Sequence, residues 1–266
     1  MKSVLLCVCI ITVCLVLIFT SNAKIDPKTA AGVWLFDENK GKLANDLTDN
    51  ANNGTFGGEP KWVKGKFDTA LSFNGTSDFI TIPDSDTLDL KAAWTITAWT
   101  FVNKAESSYG HIVGKRGAAT NYAFRVNQAG VGWESYFMKG GNWMGLWGVG
   151  AVKKDEWHYM TAVYDGKNII AIYEDATQIG TGGAGPPPPA DDNTVRIASG
   201  WQGDASELLN GILDEVAIFG VALTVDQITE LMNDGIKKAF KLMPVEPAGK
   251  LAKSWGEVKI SLTLSH

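Results

Sequence analysis

Residues 211–228 read Gly211-Ile-Leu-Asp-Glu-Val-Ala-Ile-Phe-Gly-Val-Ala-Leu-Thr-Val-Asp-Gln-Ile228, a strand pattern followed by a helix pattern. The segment Ile212–Phe219 is apolar except at two acidic positions, which is typical of a strand covered on both faces. Because successive strand side chains point to opposite faces, Asp214 is expected to share a face with Ile212, Val216 and Ile218. A carboxylate buried among them is costly unless it accepts hydrogen bonds or binds a cation. Asp214 is therefore predicted to have a partner of one of these two kinds.

A short helix is predicted directly after this strand. Thr224 fits the N-cap position, and Gln227, three residues later, completes a capping box. Gly235 fits the C-terminal end of the helix. Because no other segment has comparable helix signals, we expect one short C-terminal helix.

The first 23 residues have the organisation of a secretory signal peptide. Lys2 precedes the apolar run Val4–Phe19, and the small-residue site Ser21-Asn22-Ala23 follows it. An uncleaved membrane anchor is the alternative, but this run is shorter than the roughly 20 residues that cross a bilayer. We therefore expect cleavage after Ala23, an exported mature chain and no membrane insertion after cleavage.

Composition excludes several classes of function for the mature chain. All three cysteines lie within the first 23 residues, at Cys7, Cys9 and Cys14. Disulfides, a thiol nucleophile and cysteine-bound zinc are therefore not expected. The full chain has 24 basic and 29 acidic residues and a net charge of −5, and no basic run is longer than a pair. Nucleic acid and anionic membrane surfaces are consequently not expected as partners.

Short apolar or alternating segments recur along the rest of the chain and predict strands. They are Ala31–Phe36, Ala70–Phe73, Phe79–Ile82, Trp94–Phe101, His111–Gly114, Tyr122–Val126, Val131–Phe137, Trp157–Tyr164, Asn168–Tyr173 and Thr194–Ala198. Many strands, hairpin turns such as Asp165-Gly166 and one helix indicate an all-β protein, an antiparallel jelly-roll β-sandwich over residues 24–243. Gly180–Asn193 contains four consecutive prolines and is expected to be an exposed loop. Residues 244–266 are expected to form a C-terminal tail or linker.

Six segments occur in the order of one known family. They are Gly32–Glu38, Asp46–Thr55, Ala70–Pro83, Trp94–Trp99, Trp157-His158 with Tyr164-Asp-Gly166, and Gly211–Leu223. Together they resemble the laminin-G-like, concanavalin A-like lectin/glucanase jelly rolls over roughly Ala31–Ile236. The resemblance implies a fold that serves lectins, adhesion modules, carbohydrate-binding modules and glycanases alike. Glu174-Asp175-Ala176 departs from the Val-Asp-Gly turn that such domains often have, which leaves the turn type of that hairpin open.

An oxygen-rich set of side chains is a candidate calcium site, because Ca²⁺ prefers carboxylate, amide and carbonyl oxygens. Many members of the family carry a structural calcium. The resemblance implies that its ligands here are Asp37, Asp46, Asn53 and Asp214. The alternative is that Asp37 caps a turn, that the loop from Asp46 to Asn53 is an ordinary Asx-turn, and that Asp214 accepts hydrogen bonds from backbone N–H groups.

No pair of acidic residues has the spacing that a glycanase of this fold often uses. Carboxylates at alternate strand positions would share a face, but Glu134 and Glu156 are isolated and Glu174 and Asp175 are adjacent. We therefore predict no catalytic residue and no enzymatic activity. A hydrolase built from carboxylates that are distant in sequence is the alternative.

Four tryptophans among glycines and amides are candidate sugar-binding platforms, namely Trp133, Trp143, Trp147 and Trp201. Flat aromatic rings stack on sugar rings, and neighbouring polar side chains bind the hydroxyl groups. The candidates for those polar contacts are Arg125, Asn142 and Gln202. Four other tryptophans are expected to lie in the core, namely Trp34, Trp94, Trp99 and Trp157.

These features predict an exported, non-catalytic carbohydrate-binding (lectin-like) or adhesion module. Its expected location is extracellular, at the cell surface or in the periplasm. Its expected partner is a glycan or another cell-surface ligand, with calcium as a structural ion. A structural or protein-interaction module is the second interpretation, and a glycoside hydrolase is the third.

Overall fold

Within the residues that the structure describes, two antiparallel sheets of eight strands each form a sandwich. The computed structural model describes residues 24–103, 109–128, 130–201, 203 and 206–241. The predicted all-β sandwich and the short C-terminal helix are confirmed there. The predicted signal peptide, residues 1–23, and the predicted tail, residues 244–266, lie outside the described residues.

The described part of the chain contains sixteen strands. In chain order they are β1 (Ala30–Trp34), β2 (Leu43–Ala44), β3 (Gly54–Gly57), β4 (Lys61–Lys64), β5 (Thr69–Asn74), β6 (Phe79–Ile82), β7 (Trp94–Val102), β8 (Gly110–Arg116), β9 (Thr120–Val126), β10 (Trp133–Lys139), β11 (Asn142–Val149), β12 (Trp157–Tyr164), β13 (Ile169–Glu174), β14 (Thr177–Gly183), β15 (Val195–Ile197) and β16 (Asn210–Phe219). Sheet I has the order β14-β13-β12-β7-β16-β5-β4, and β1 also pairs with β16. Sheet II has the order β11-β10-β9-β8-β15-β6-β3-β2.

The core lies between the two sheets and is filled by aromatic and branched side chains from both. Trp34 and Trp94 are fully buried there, as predicted. Trp94 packs against Tyr122 of sheet II and Tyr164 of sheet I, at ring-centroid distances of 6.3 and 5.7 Å. These contacts join the two sheets, so we expect the core tryptophans to contribute strongly to stability.

A second apolar layer covers the outer face of sheet I. Helix α1 (Val225–Asp234) supplies Ile228 and Leu231 to this layer, and helix α2 (Ile236–Ala239) follows it. The predicted capping box is confirmed, because the Thr224 hydroxyl accepts the N–H of Gln227 and the Gln227 side chain accepts the N–H of Thr224. No helix in the described part of the chain is long and apolar enough to span a membrane.

A bulge in β16 corrects the predicted alternation of that strand. Leu213 and Val216 both face the core, although they are three residues apart, and Glu215 between them has a φ of +48°. On one side, β16 pairs with β5 up to Leu213 and with β1 from Val216 onward. Asp214 and Glu215 therefore lie at the gap between two neighbouring strands, where backbone N–H groups need other acceptors. Asp214 is fully buried, as predicted, and its carboxylate accepts a hydrogen bond from the backbone N–H of Phe67.

The sequence pattern misses five of the described strands, namely β2, β3, β4, β11 and β14. In β11 and β14, glycines interrupt the apolar residues. A Gly140-Gly141 turn, with φ values of +57° and +78°, joins β10 to β11 as a tight hairpin. Gly180–Gly183, predicted to belong to an exposed loop, instead continues the edge strand β14 against β13. The proline-rich residues that follow lie outside the sheets, as predicted.

The hairpin between β13 and β14 has a tight turn whose type the sequence left open. Asp175 and Ala176 both have positive φ values, +49° and +59°, as in a type I′ turn. Asp175 accepts the N–H of Tyr159 at 2.9 Å and lies 2.7 Å from Nδ1 of His158. These side-chain contacts stabilise a left-handed backbone that usually favours glycine.

Lys115 fixes the proline-rich segment to sheet II. Its ammonium group is completely buried and lies 2.7 Å from Asp84, 3.1 Å from Asp89 and 3.1 Å from Asp191. It also donates a hydrogen bond to the carbonyl of Asp191. Burial alone would lower the pKa of Lys115, but the three carboxylates outweigh it and the pKa is raised. The charged lysine therefore holds together three loop segments that precede or follow strands.

Candidate functional site

Four neighbouring strands of sheet II, β8 to β11, present polar and aromatic side chains on the outer face of the sheet. In β10, Trp133 points into the core, so the alternating positions Glu134 and Tyr136 point outward. Arg125 of β9 is the register partner of Glu134, and His111 of β8 is the partner of Arg125. Strand pairing therefore brings together residues that are far apart in sequence.

Tyr136 is the centre of the aromatic part of this surface. Trp147 stacks on it with a centroid distance of 4.9 Å and an interplanar angle of 22°. Trp143 meets it edge-on, at 5.4 Å and 81°. Gly145 lies midway between the two tryptophans in β11 and pairs with Tyr136, and a Cβ at Gly145 would lie 2.5 Å from that of Tyr136. Because Gly145 has no side chain, Tyr136 can approach β11 between the two indoles.

Trp143 and Trp147 keep 46% and 43% of their surface exposed. Neighbouring large apolar side chains with this exposure usually mark a place where a partner binds. They line a hollow of about 290 Å³, which we call the aromatic groove. Its residues are Tyr109, Arg116, Arg125, Tyr136, Trp143, Trp147 and Glu207.

Two arginines and two glutamates form a hydrogen-bonded network in the aromatic groove. Arg125 pairs with Oε2 of Glu134 through Nε and Nη2, both at 2.9 Å. Its Nη1 donates to Oε2 of Glu207 at 3.2 Å, and Arg116 donates to the same oxygen. Charge-assisted hydrogen bonds of this kind are the strong ones in proteins. The four formal charges balance, and each guanidinium is already held by a carboxylate.

The guanidinium groups also lie against aromatic rings. Arg125 is 3.7 Å from the ring centre of Tyr109. Arg116 is 5.3 Å from the ring centre of Trp143 and 4.8 Å from that of Trp201. Such cation–π contacts restrict the orientations of the rings. Much of the aromatic groove is therefore ordered by its own contacts.

His111 lies beneath the groove and is fully buried. Its Nε2 is 3.1 Å from the Tyr136 hydroxyl, and its Nδ1 is 3.3 Å from Oε2 of Glu207. Burial, followed by the charges of Arg125 and Arg116, lowers the pKa of His111 well below its usual value. Burial also raises the pKa of Tyr136. A neutral histidine therefore sits between a neutral tyrosine and the glutamate and helps to position both.

The structure brings together three of the predicted ligand-binding residues, namely Arg125, Trp143 and Trp147. Trp201 lies beside the groove, with its ring against the guanidinium of Arg116. Gln202 lies outside the described residues.

The platform role predicted for Trp133 is corrected by its position. The side chain is 1% exposed and packs on Phe124 in the core, at a centroid distance of 5.6 Å. A glycine-rich neighbourhood in the sequence does not indicate the face of the strand to which a residue points. Trp133 is a core residue and offers no surface to a ligand.

Four residues of the aromatic groove were not predicted from the sequence, namely Tyr109, Arg116, Tyr136 and Glu207. The alternation in β10 could have identified Tyr136, because Trp133 and Phe137 face the core on the opposite side. The Gly140-Gly141 hairpin signal could then have placed Gly145 opposite Tyr136. Glu207 reaches the groove from the connection between β15 and β16, and no local pattern identifies it.

The loop after β2, which was a candidate for calcium binding, uses its oxygens to hold its own backbone. Asp46 accepts the N–H groups of Val33, Thr48 and Asn52 at 2.9, 3.0 and 2.9 Å, and the Thr48 hydroxyl at 2.8 Å. Oδ1 of Asn53 accepts the N–H of Asp46 at 2.8 Å. This is the arrangement of an ordinary turn, so Asp46 and Asn53 do not fit the ligand set drawn from the resemblance.

Asp37 and Asp214 form a separate pair of carboxylates near the bulge in β16. Oδ2 of Asp214 accepts the N–H of Phe67 at 2.9 Å, whereas its buried Oδ1 has no hydrogen-bond partner. Asp37 accepts the N–H of Thr69 at 3.3 Å and lies 2.6 Å from Nζ of Lys237. Burial, with the nearby charge of Asp37 adding to it, raises the pKa of Asp214 to about 7.

Glu215 is the next carboxylate along the bulge, and both its oxygens face the N–H of Ile236, at 3.2 and 3.1 Å. Burial, followed by the charge of Asp214, raises the pKa of Glu215 to about 8. No group of three His, Cys, Asp or Glu side chains in the described ranges is close enough to hold a metal ion. Asp46 and Asn53 are thus held by their own loop, and among the four residues drawn from the resemblance Asp214 has a buried oxygen, Oδ1, without a hydrogen-bond partner.

The family of the chain follows from its sequence. The sequence model of the concanavalin A-like lectin/glucanases superfamily matches residues 74–229, which is more than half of the chain. The chain belongs to the concanavalin A-like lectin/glucanase superfamily. The match spans every residue of the aromatic groove, and the membership confirms the resemblance drawn from the six motifs.

Solved structures with the superfamily fold include a domain of an arabinanase and binding domains of toxins. Domain 4 of AbnA, a GH43 extracellular arabinanase from Geobacillus stearothermophilus solved with arabinotriose, has a TM-score of 0.61 and 20% identity over 77% of this chain and 98% of that domain. The binding domain of Paraclostridial Mosquitocidal Protein 1 has a TM-score of 0.65 and 12% identity over 78% of this chain and 52% of that one. The receptor binding domain of a botulinum neurotoxin C/D mosaic has a TM-score of 0.63 and 10% identity over 79% and 52%.

These likenesses show the superfamily fold and do not transfer individual residues. This chain spans about half the length of the toxin binding domains that it matches. No curated protein sequence matches the chain. The function must therefore be argued from the site itself.

Proposed function

We propose that this superfamily member is an exported, non-catalytic module that binds carbohydrate in the aromatic groove. The observation that carries the proposal is the pair of exposed indoles, Trp143 and Trp147, packed around Tyr136 beside an arginine–glutamate network. Sugar rings place their C–H faces on aromatic rings, and their hydroxyl groups bond to charged or polar side chains. The groove offers both kinds of contact within one hollow.

The ligands of two structural neighbours support carbohydrate as the ligand class. Domain 4 of the arabinanase was solved in complex with arabinotriose. Cell entry of botulinum neurotoxin type C, whose structure shares 11% identity with this chain, depends upon interaction with two ganglioside molecules. These are properties of those proteins, and the groove residues provide the argument for this chain.

The contacts of the two groove carboxylates favour binding over hydrolysis. A glycoside hydrolase needs one carboxylic acid that protonates the leaving oxygen and a second carboxylate that acts on the sugar. Glu134 and Glu207 both accept hydrogen bonds from Arg125. Carboxylates held in this way are suited to accept hydrogen bonds from sugar hydroxyls, and neither is placed as a proton donor.

Calcium and export belong to the same proposal. The calcium would be held by Asp37 and Asp214, where the buried Oδ1 of Asp214 has no hydrogen-bond partner. A bound cation would supply positive charge to Asp214, which lies on β16 of sheet I, away from the groove on sheet II. Export rests on the signal peptide and is tested by the intact mass of the secreted protein, which should begin at Lys24.

A protein partner is the second candidate, because the binding domain of botulinum neurotoxin DC was solved with rat synaptotagmin II. A glycan-array screen of residues 24–266, in calcium and in chelator, separates the candidates. Specific glycan binding that is lost in Trp143→Ala supports the proposal. Capture of protein partners without any glycan binding favours the second candidate, and release of sugar from a polysaccharide favours a hydrolase.

A further inference from the structure

We infer that the aromatic groove takes the end of an uncharged glycan chain, one or two sugar rings long. This inference rests on the proposed carbohydrate-binding function and narrows its ligand class. The alternatives are an acidic sugar and an internal stretch of a long polymer.

Both arginines of the groove are already paired with carboxylates. The side chains of Arg116 and Arg125 are 10% and 8% exposed, and both donate to Glu207. Glu207 is 22% exposed, whereas its counterpart Glu134 is 11% exposed. The most accessible charge of the network is therefore a carboxylate.

This arrangement disfavours an acidic ligand. A carboxylate on the sugar would lie close to Glu207, because Glu207 is more exposed than the two arginines that it pairs with. Like charges in a confined site reduce affinity. Sugar hydroxyls, by contrast, donate to a carboxylate in the charge-assisted hydrogen bonds that proteins use most effectively. Uncharged sugars are therefore the better match to the electrostatics of the groove.

The two exposed indoles form a corner. Trp147 is nearly parallel to the Tyr136 ring, with an angle of 22°, whereas Trp143 is nearly perpendicular to that ring, at 81°. The planes of Trp143 and Trp147 therefore meet at a steep angle. A row of coplanar rings would suit an extended or crystalline polysaccharide, but a corner suits a ring that enters with its end first.

The size of the hollow agrees with this geometry. Its volume of about 290 Å³ lies at the lower limit of the roughly 300 to 1,000 Å³ of ordinary ligand pockets. Gly145 keeps the back of the corner closed by allowing Tyr136 to approach β11. The space accommodates one or two sugar rings, and further rings of a chain would extend into solvent.

The test uses the mature chain, residues 24–266, on an array of neutral mono- to hexasaccharides. Each glycan is printed beside the same glycan capped with sialic acid or a uronic acid. Among the glycans that bind, we expect the disaccharide to bind more tightly than the monosaccharide. From disaccharide to hexasaccharide, we expect the affinity to change by less than about twofold. We expect the acid-capped counterparts to bind about tenfold more weakly.

A second variant tests the charge argument directly. Glu207→Gln keeps the shape of the side chain but removes the carboxylate that both arginines contact. We expect this variant to lose the discrimination against acid-capped glycans. Trp143→Ala should weaken binding of neutral and acid-capped glycans alike.

The outcomes separate this inference from the proposed function. Binding that depends on Trp143 but favours acid-capped glycans, or that keeps strengthening up to six rings, overturns the inference and leaves the carbohydrate function standing. Binding of no glycan on the array contradicts the function, and the inference fails with it.

Discussion

Tyr136 and Trp147 stack with their ring centres 4.9 Å apart and their planes 22° from parallel. One face of the Trp147 ring is thus held by a buried neighbour, while 43% of the residue surface stays exposed. A platform that is fixed before the ligand arrives loses little conformational entropy on binding. This relationship is the reason to expect affinity from so small a surface.

The exposed indoles are predicted to contribute to binding but not to folding. Trp143→Ala and Trp147→Ala should each weaken glycan binding about tenfold or more, because they remove a stacking surface. Each should change the free energy of unfolding by less than about 1 kcal/mol, as is usual for exposed positions. Titration calorimetry and urea denaturation measure the two quantities.

Trp133→Ala and Trp94→Ala are the matched controls, since both side chains are buried in the core. Each should cost roughly 3 to 5 kcal/mol of stability. If Trp143→Ala unfolds as readily as these two variants, the indole is a structural residue and the groove has been misassigned.

Gly145 is predicted to be essential for the shape of the aromatic groove. In Gly145→Ala the new Cβ would lie 2.5 Å from both the Ser135 carbonyl oxygen and the Tyr136 Cβ. Overpacking of this kind costs roughly 1 to 3 kcal/mol, and the displaced tyrosine should reduce glycan binding. Gly183→Ala is the control, because its Cβ would have no neighbour nearer than 3.8 Å. Equal melting temperatures for the two variants would contradict the close approach of Tyr136 to β11.

Lys115 is predicted to be required for folding, because three carboxylates converge on its buried ammonium group. Lys115→Met would leave Asp84, Asp89 and Asp191 without a counter-charge, at a cost of roughly 3 to 5 kcal/mol. Denaturant unfolding of the natural chain and of Lys115→Met measures this loss.

Lys91→Met is the control for this prediction. Lys91 also contacts Asp89, at 3.8 Å, but its side chain is 64% exposed. An exposed ion pair contributes little, so this variant should be near neutral. If Lys115→Met is equally neutral, the buried cluster does not stabilise the fold.

The carboxylates in the β16 bulge predict how stability changes with pH. The pKa values of Asp214 and Glu215 are raised from 3.8 and 4.5 to about 7 and about 8. Between about pH 4 and pH 8 the folded chain therefore keeps protons that the unfolded chain has lost. In chelator, the contribution of this pair to stability should be full below about pH 4 and fall as pH rises through 7 to 8.

Asp214→Asn, which cannot ionise at this position, should reduce that pH dependence to the part that Glu215 contributes. Thermal unfolding of both proteins from pH 4 to pH 9 measures the difference. Calcium at pH 8 should raise the melting temperature of the natural chain but not that of Asp214→Asn, since an ion that binds the folded state stabilises it. If calcium changes the melting temperature of neither protein, Asp214 does not bind calcium.

The sequence predicts those parts of the fold that depend on local pattern. The capping box of Thr224 and Gln227 and the apolar run of β16 are of this kind, and both are confirmed. The bulge at Glu215 was not predictable, because it depends on where β5 gives way to β1 along β16. The aromatic groove was only partly predictable, because Arg125 and Glu207 meet across 82 residues of sequence.

The central claim is that the aromatic groove binds sugar, and calorimetric titration of the mature chain and of Trp143→Ala with one array-selected glycan tests it most directly. We expect saturable one-site binding to the natural chain and at least about tenfold weaker binding to the variant, with equal melting temperatures. Equal affinity of the two proteins for that glycan would contradict it.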